Sequence, residues 1–297
     1  MKISVAIPAH NEEAYIARCL QSLARQDFED LTPRPPSLKG RGNSPPPLGE
    51  GLGERSELEI IVCLNRCTDR TEEIVRGFAK DSPWPVKIVH EARKGVSWAR
   101  QTACLAASGE IIASADADAV YPFDWAARIA RAFSEDPQLV VIYGPVRLHD
   151  FANPLSQFLH PILNDTITHL GRLVGWHNVI GSNFAMRREA FLAVGGFNTS
   201  LKALEDHEIV RRLKAFGRVR YDPQLVAFAS ARRYNRLGVW KTIRFYLRNA
   251  IRAVILKRET EDLEDLTSPP APPLKGGGGI GPRKGDHEHS ESFRDRP

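Results

Sequence analysis

The sequence predicts an α/β fold, a Rossmann-like and mostly parallel central sheet flanked by helices in a single domain, and three observations carry that expectation. Between residues 2 and 118, short apolar runs of strand length alternate with segments of helical periodicity. Such alternation builds a parallel sheet because each crossover returns with the same hand. The four runs end in polar segments: Pro8 to Asn11, Asn65 to Asp69, Glu91 to Gly95 and Asp116 to Asp118. The last of these sets two carboxylates one residue apart, directly after Ile111-Ile112-Ala113-Ser114-Ala115. Ligands of open parallel sheets collect beyond the carboxyl ends of the strands, so the four polar ends are expected along one crevice.

Lys2 to Pro8 reads as the first strand. Asn11 is the expected N-cap of the next helix, with Glu12 and Glu13 in its first turn and Ile16, Cys19, Leu20 and Leu23 at helical spacing to about Arg25. Leu31 to Ser56 is rich in Pro, Gly, Ser and basic residues and nearly free of large apolar side chains. It cannot offset its own ordering entropy and is expected as a disordered insert. Its opening, Leu31 to Gly40, is echoed by Leu266 to Gly276, which marks both as copies of one passive inserted element. Leu58 to Leu64 is the second strand, and Asp69 with Glu72 has the form of a capping box before a helix from about Arg70 to Lys80. Val86 to His90 is the third strand, Ser97 to Ala107 a helix stopped by Ser108-Gly109, and Ile111 opens the fourth strand.

Beyond the Asp pair the alternation weakens. Helices are expected over Phe123 to Phe133, Pro154 to Val174, Arg188 to Ala193 and from Leu204, with strands over Leu139 to Pro145 and Val179 to Met186 and a tight turn at Gly195-Gly196. Leu237 to Lys257 reads as an amphipathic helix, either on an anionic membrane or packed against the preceding domain with its basic residues solvated, with Trp240, Ile243, Leu247, Ile251 and Val254 on one face and Lys241, Arg244, Arg248 and Arg252 beside it. The expected organisation is one domain over 1–235 interrupted by 31–56, a basic helix over 236–258 and a disordered tail over 259–297.

The 297 residues, 42% of them hydrophobic, suffice for a sizeable core. A net charge of +5 and a pI near 9.1 point to an anionic partner. Cys19, Cys63, Cys67 and Cys104 lack the paired spacing of a zinc site and read as reduced structural thiols of a cytosolic protein. Ile3 to Ile7 is too short for a signal-peptide core, and no apolar run is long enough to span a bilayer. His10, His90 and His207 show no ligand spacing and read as solvent or loop histidines.

Carboxylates at a strand end suit hard divalent cations, and Mg²⁺ is typically held by one or two of them together with substrate phosphates. A metal-bridged nucleotide is therefore the leading expectation, an Asp-rich turn the plainer one. Glu205 and Asp206 open a helix, where acids also serve the helix dipole. Arg232 or Arg233 is available to a diphosphate.

Six segments resemble the inverting family 2 glycosyltransferases, nucleotide-sugar-dependent enzymes of the GT-A fold. They are Ser4 to Glu13, Asn65 to Thr71, Gly95 to Arg100, Asp116-Ala117-Asp118, Val194 to Phe197 and Glu205-Asp206, in the family's order across roughly residues 1–235. The resemblance implies transfer of a sugar, hexosyl in type, from a nucleotide-sugar donor to an acceptor hydroxyl that is saccharide or lipid-linked, with Mg²⁺ or Mn²⁺ as cofactor. It implies that Asp206 is the catalytic base, that Asp118 holds the metal and that Asp116 contacts the ribose. Pro8, Asn11, Glu12, Asn65, Asp69, Lys94, Arg100 and Arg233 complete the expected donor contacts. Nucleic acid is not an expected partner, and the expected location is cytoplasmic, peripheral at the inner face of a membrane. Leu64-Asn65 stands where the family often has two acids, and Ala231-Arg232-Arg233-Tyr234 where processive members have Gln-x-x-Arg-Trp, so single-sugar transfer is expected. A sugar-phosphate nucleotidyltransferase is the rival enzyme, though its Gly-rich loop is missing after Ile7. A catalytically silent anion-binding scaffold rests only on the basic pI and helix.

Overall fold

The structure, a computed structural model, describes residues 1–28, 57–173 and 175–250. The expected insert, the last part of the basic helix and the tail lie outside these residues. In chain order the elements are β1 (Lys2–Ala9), α1 (Ile16–Ala24), β2 (Glu57–Asn65), α2 (Thr71–Asp81), β3 (Val86–Glu91), α3 (Val96–Leu105), β4 (Ile111–Ser114) and β5 (Ala119–Val120). They continue as α4 (Trp125–Glu135), β6 (Leu139–Tyr143), β7 (Val146–His149), α5 (Pro154–Leu173), β8 (Phe184–Arg187), α6 (Arg188–Ala193) and α7 (Glu205–Leu213). β9 (Arg218–Tyr221), β10 (Ala227–Ser230), α8 (Arg232–Leu237) and α9 (Val239–Ala250) follow.

Seven strands form the main sheet in the order β3-β2-β1-β4-β8-β6-β9. β1 to β4 pair in parallel, β8 is antiparallel to both β4 and β6, and β9 is parallel to β6. Only β8 therefore runs against the rest. Strands buried on both faces read as nearly continuous apolar runs. Ile3, Val5 and Ile7 of β1 and Ile60 and Val62 of β2 pack with Ile16, Leu20 and Leu23 of α1 and Ile129 and Phe133 of α4. The alternate residues Ala6, Ile61, Cys63 and Ile112 pack on the other face with Ala99 and Ala103 of α3 and Ile209 and Leu213 of α7. Cys19, Cys63 and Cys104 are buried in these layers as free thiols.

A second sheet, β5-β10-β7, sits beside the Asp pair. β5 pairs with β10 through Ala119 and Ala229, which brings the chain after β10 alongside the turn that precedes β5.

Several local expectations are corrected. Asn11 is not an N-cap: its φ is 53°, its Oδ1 accepts the Thr68 N–H at 2.8 Å, and α1 begins five residues later. The Asp69–Glu72 capping box does not form, because Asp69 accepts from Thr71 and from the Glu13 N–H while Glu72 pairs with Arg76. The strand expected over Leu139 to Pro145 ends at Tyr143 as β6, and an unexpected strand, β7, follows it in the other sheet. Gly144 sits at the break, so close to the Leu225 carbonyl that no Cβ fits. Only Phe184–Arg187 of the stretch from Val179 is strand. The expected helix from Leu237 is broken at Gly238, whose φ of 79° separates α8 from α9. Among the described residues no helix is long and apolar enough to cross a membrane.

Candidate functional site

β4 delivers Asp116 and Asp118 into a turn held from three sides. The Ala119 N–H donates to the Asp116 carbonyl at 3.1 Å, the Cys19 thiol reaches the same oxygen at 3.4 Å, and the Asp116 N–H donates to the Tyr121 hydroxyl at 3.1 Å. Tyr121 in turn donates to the Ser182 carbonyl at 2.9 Å, which ties the turn to the segment before β8.

Arg100 of α3 enters the site from beneath and is 2% exposed. Its guanidinium donates to Asp116 Oδ1 at 2.9 Å, to the Gly181 carbonyl at 2.7 Å and to Ser114 Oγ, and its Nε lies 3.3 Å from Glu205 Oε1. One buried cation thus links the end of β4 to the start of α7. Position 181 must be glycine for this, since a Cβ there would lie 2.6 Å from Arg100 Nη2.

α7 begins with Leu204 in the left-handed region at φ 64°, a conformation that bulky residues adopt rarely. Glu205 is buried against Arg100. Asp206 is partly exposed, and its Oδ1 accepts from the His207 N–H at 2.8 Å and lies 2.9 Å from His207 Nδ1. Burial pushes the Asp206 carboxyl up, but His207 and Arg100 outweigh it and hold it below the usual range. Burial likewise pushes the His207 imidazole down, and Asp206 more than reverses this. His207 stacks on Trp176 with centroids 5.5 Å apart and planes 20° off parallel. It is therefore not a solvent histidine.

Opposite, Arg232 makes a two-pronged pair with Glu12, at 2.8 and 2.5 Å, and reaches Asp118 Oδ2 at 3.0 Å. Tyr15 lies under its guanidinium at 4.6 Å. Burial first, then neighbouring carboxylates, push the Glu12 and Asp118 carboxyls above their usual range despite Arg232. Glu205 is raised by burial and by Asp206.

Residues 4–195 match the family described as Glycosyl transferase family 2. The chain belongs to that family. Among its relatives is the probable glycosyltransferase YdaM of Bacillus subtilis, 26% identical over 243 residues that make up 76% of this chain and 50% of YdaM. Another is the glucosyl-dolichyl phosphate glucuronosyltransferase of Haloferax volcanii, 24% identical over 67% of this chain and 57% of that protein. The fold is similar to that of mannosyltransferase PcManGT from Pyrobaculum calidifontis, solved with GDP-Man and Mn²⁺ (TM-score 0.56, 23% identity, 83% of this chain and 64% of that one). It is similar also to S. aureus TarS 1-349 solved with UDP-GlcNAc (TM-score 0.57, 20% identity, 89% and 69%). The mostly parallel sheet with flanking helices is the GT-A fold of these glycosyltransferases. The chain spans only half to three fifths of the length of the first curated relatives it matches.

Of the residues expected at a family 2 site, Glu12, Arg100, Asp116, Asp118 and Asp206 lie in the network just described. Asn11 and Asp69 knit the loops after β1 and β2 together, through Thr68 and through the Glu13 N–H. Asn65 is buried: its amide donates to the Glu91 and Arg93 carbonyls and accepts the Gly95 N–H, so it clamps the β3–α3 loop. Pro8 lies near the end of β1, half-buried, while Lys94 and Arg233 are exposed at the rim. Arg232, not Arg233, is the arginine on Asp118. The small sheet that places it is a contact between distant segments. Trp176 and the His207–Asp206 pair left no trace in sequence spacing.

A divalent cation fits this donor set. Five carboxylates, Glu12, Asp116, Asp118, Glu205 and Asp206, face Arg100 and Arg232, and burial first, then the neighbouring acids, raise the Glu12, Asp118 and Glu205 carboxyls. Among the described residues no three His, Cys, Asp or Glu side chains converge as a cage. A cation at Asp118 would complete its shell with phosphate oxygens and water, which is how Mg²⁺ and Mn²⁺ are commonly held in nucleotide sites.

Proposed function

We propose that the protein is a divalent-cation-dependent inverting glycosyltransferase that moves one sugar from a nucleoside-diphosphate donor to an acceptor hydroxyl. The observation that carries this reading is the Arg100 bridge. A single buried guanidinium holds Asp116, on the donor side, and Glu205, next to Asp206, within one crevice. Known relatives that bind UDP-GlcNAc or GDP-Man support a nucleotide-sugar donor.

In this reading Asp116 meets the ribose and Asp118 holds the cation, which when bound supplies Lewis-acid neutralisation of charge developing on the diphosphate. With Asp118 engaged by a cation, the Arg232 guanidinium now on it would be available to the diphosphate oxygens. Pro8, Asn11, Asp69 and Lys94 line the nucleotide side, with Asn65 acting through the loop it clamps and Arg233 at the rim. Asp206 takes the acceptor proton. The acceptor oxygen bonds to the anomeric carbon from the face opposite the diphosphate, the bond from that carbon to the diphosphate breaks, and its electron pair leaves with the diphosphate. Inversion follows from that single displacement. His207 occupies Asp206 Oδ1 and so orients the carboxylate with Oδ2 toward the acceptor. The protein is read as cytoplasmic and peripheral to a membrane, to which the exposed Lys241, Arg244 and Arg248 of α9 add basic charge.

A panel of nucleotide sugars with Mn²⁺, read by release of nucleoside diphosphate, tests the reading. Slow release from at least one donor is expected, and none from any would reject it. Asp206→Asn should bind donor normally and lose about 10² to 10⁴ in turnover. Retention of more than about a tenth of wild-type turnover would move the base elsewhere.

A further inference from the structure

The longest described helix carries its amphipathicity inside out. On α5, Leu155, Phe158, Ile162, Leu163, Leu170 and Leu173 are between 49% and 83% exposed. They share one side of a helix about 30 Å long. A surface helix normally turns such a stripe into the core. Here the protein-facing side is small and polar instead: Thr168 and Gly171 are buried, Asp165 is held by Arg147 at 2.7 and 2.8 Å, and Asn164 accepts from Asn178. A contiguous apolar patch of this kind marks an interaction surface.

The charges around the stripe identify what it meets. Arg172 is the one Lys, Arg, Asp or Glu among the exposed residues of α5. Beside it opens a cavity of about 490 Å³ lined by His169, Arg172, His177, Arg220 and Tyr221, with no carboxylate in its wall. At the other end, Phe151, His160 and Tyr234 pack α8 against the first half of α5, and the exposed Arg236 lies on that same helix. Both ends of the apolar stripe are thus basic. Two copies paired through α5 in a two-fold contact would set basic ends against basic ends, which works against association. An anionic lipid surface complements all of it, with acyl chains for the stripe and phosphates for the ends.

We propose that α5 is the face on which the protein seats on an anionic bilayer, with lipid phosphates taken by the Arg172–Arg220 cavity. This surface is distinct from the basic α9. A consequence, which rests on the transferase reading, concerns the acceptor. Trp176, beside the cavity residue His177, stacks on His207, and His207 holds Asp206. The base therefore lies on the bilayer side, where it meets an acceptor presented at the lipid surface.

The test is vesicle flotation of the full chain with phosphatidylglycerol–phosphatidylcholine vesicles against pure phosphatidylcholine. Wild type should float with the anionic vesicles. The double variant Phe158→Glu, Leu163→Glu should lose at least about ten-fold in bound fraction while melting as wild type does, because both positions are exposed. Arg172→Gln with Arg220→Gln should remove the preference for anionic lipid. Equal flotation of the Phe158/Leu163 variant would overturn the proposal. So would a wild-type chain that ignores vesicles but sediments as a dimer dissolved by the same substitutions, or binding that Lys241→Gln with Arg244→Gln alone abolishes. Donor hydrolysis without vesicles reads the transferase proposal separately.

Discussion

One added methyl group at Gly181 is expected to disturb the site more than its size suggests. An alanine Cβ would stand 2.6 Å from Arg100 Nη2 and 2.9 Å from its Cζ, where ordinary contact begins at 3.4 Å. The guanidinium must therefore withdraw by about 0.8 Å, the difference between the first and last of these distances. It has nowhere to go. The same group is fixed by Ser114, by the Gly181 carbonyl at 2.7 Å, by Asp116 at 2.9 Å and by Glu205 at 3.3 Å. Overpacking a filled site costs about 1–3 kcal/mol. For a domain of this size that lowers the melting temperature by about 2 to 12 °C. Gly77→Ala provides the contrast, since Gly77 lies exposed in α2 with nothing within 4 Å of its built Cβ. Alanine there should stabilise by up to about 1 kcal/mol. Thermal unfolding of both variants, with donor hydrolysis, decides the matter. If Gly181→Ala melts within about 1 °C of wild type and turns over normally, Arg100 is not clamped as described.

Two further outcomes are expected. Asp118→Asn should fold as stably as wild type or better, since burial already pushes that carboxyl up, yet lose Mn²⁺ stimulation together with most activity; unaltered stimulation would place the cation elsewhere. Glu59, far from the site, accepts from Ser4 and from the Ser108 N–H and Oγ and pairs with Lys2; these outweigh burial and hold it at about 2 against an ordinary 4.5. Because the folded value is the lower one, its stabilisation is full above 4.5 and fades as the pH falls toward 2. Glu59→Gln should cost about 1–3 kcal/mol at neutral pH and flatten the acid limb of stability against pH, and an unchanged limb would refute the assignment.

What the sequence made legible was local or repeated. β1 and β4 show in their apolar runs, and the order of the first four strand–helix units gives the crevice before any coordinate is known. Several of the misses share one cause, a partner far along the chain. Asn11 has the chemistry of a cap, but its Oδ1 is taken by a residue 57 positions away. Arg232 and Arg233 are indistinguishable in sequence, and what selects Arg232 is Glu12, 220 positions distant, through the pairing of β10 with β5. α5 was read correctly as a helix, yet its apolar spacing could not reveal which side faces out, because that depends on Arg147 taking Asp165 inward.

The network around the crevice is built against local preference. Outside glycine, the described residues with positive φ are Asn11, Arg66, Asp150 and Leu204. Each stands where a strand gives way or a helix begins: after β1, after β2, after β7 and before α7. Asp150 uses its position to hold Ser230 and the Ala231 N–H, which sets the start of α8 and with it Arg232. Such conformations cost of order 1–3 kcal/mol each and persist only where surrounding packing over-determines them. The carboxylate surplus acts in the same direction, since burial raises Glu12, Asp118 and Glu205 and the two arginines offset only part of it. A core fully closed on both faces of the sheet supplies the stability that absorbs both terms. The consequence is that the carboxylates are already desolvated and oriented before any ligand arrives. Apart from the release of Asp118 from Arg232, a cation and its diphosphate would then gain their attraction without reorganising the site, which is the condition under which fixed charges act most strongly on a developing transition-state charge.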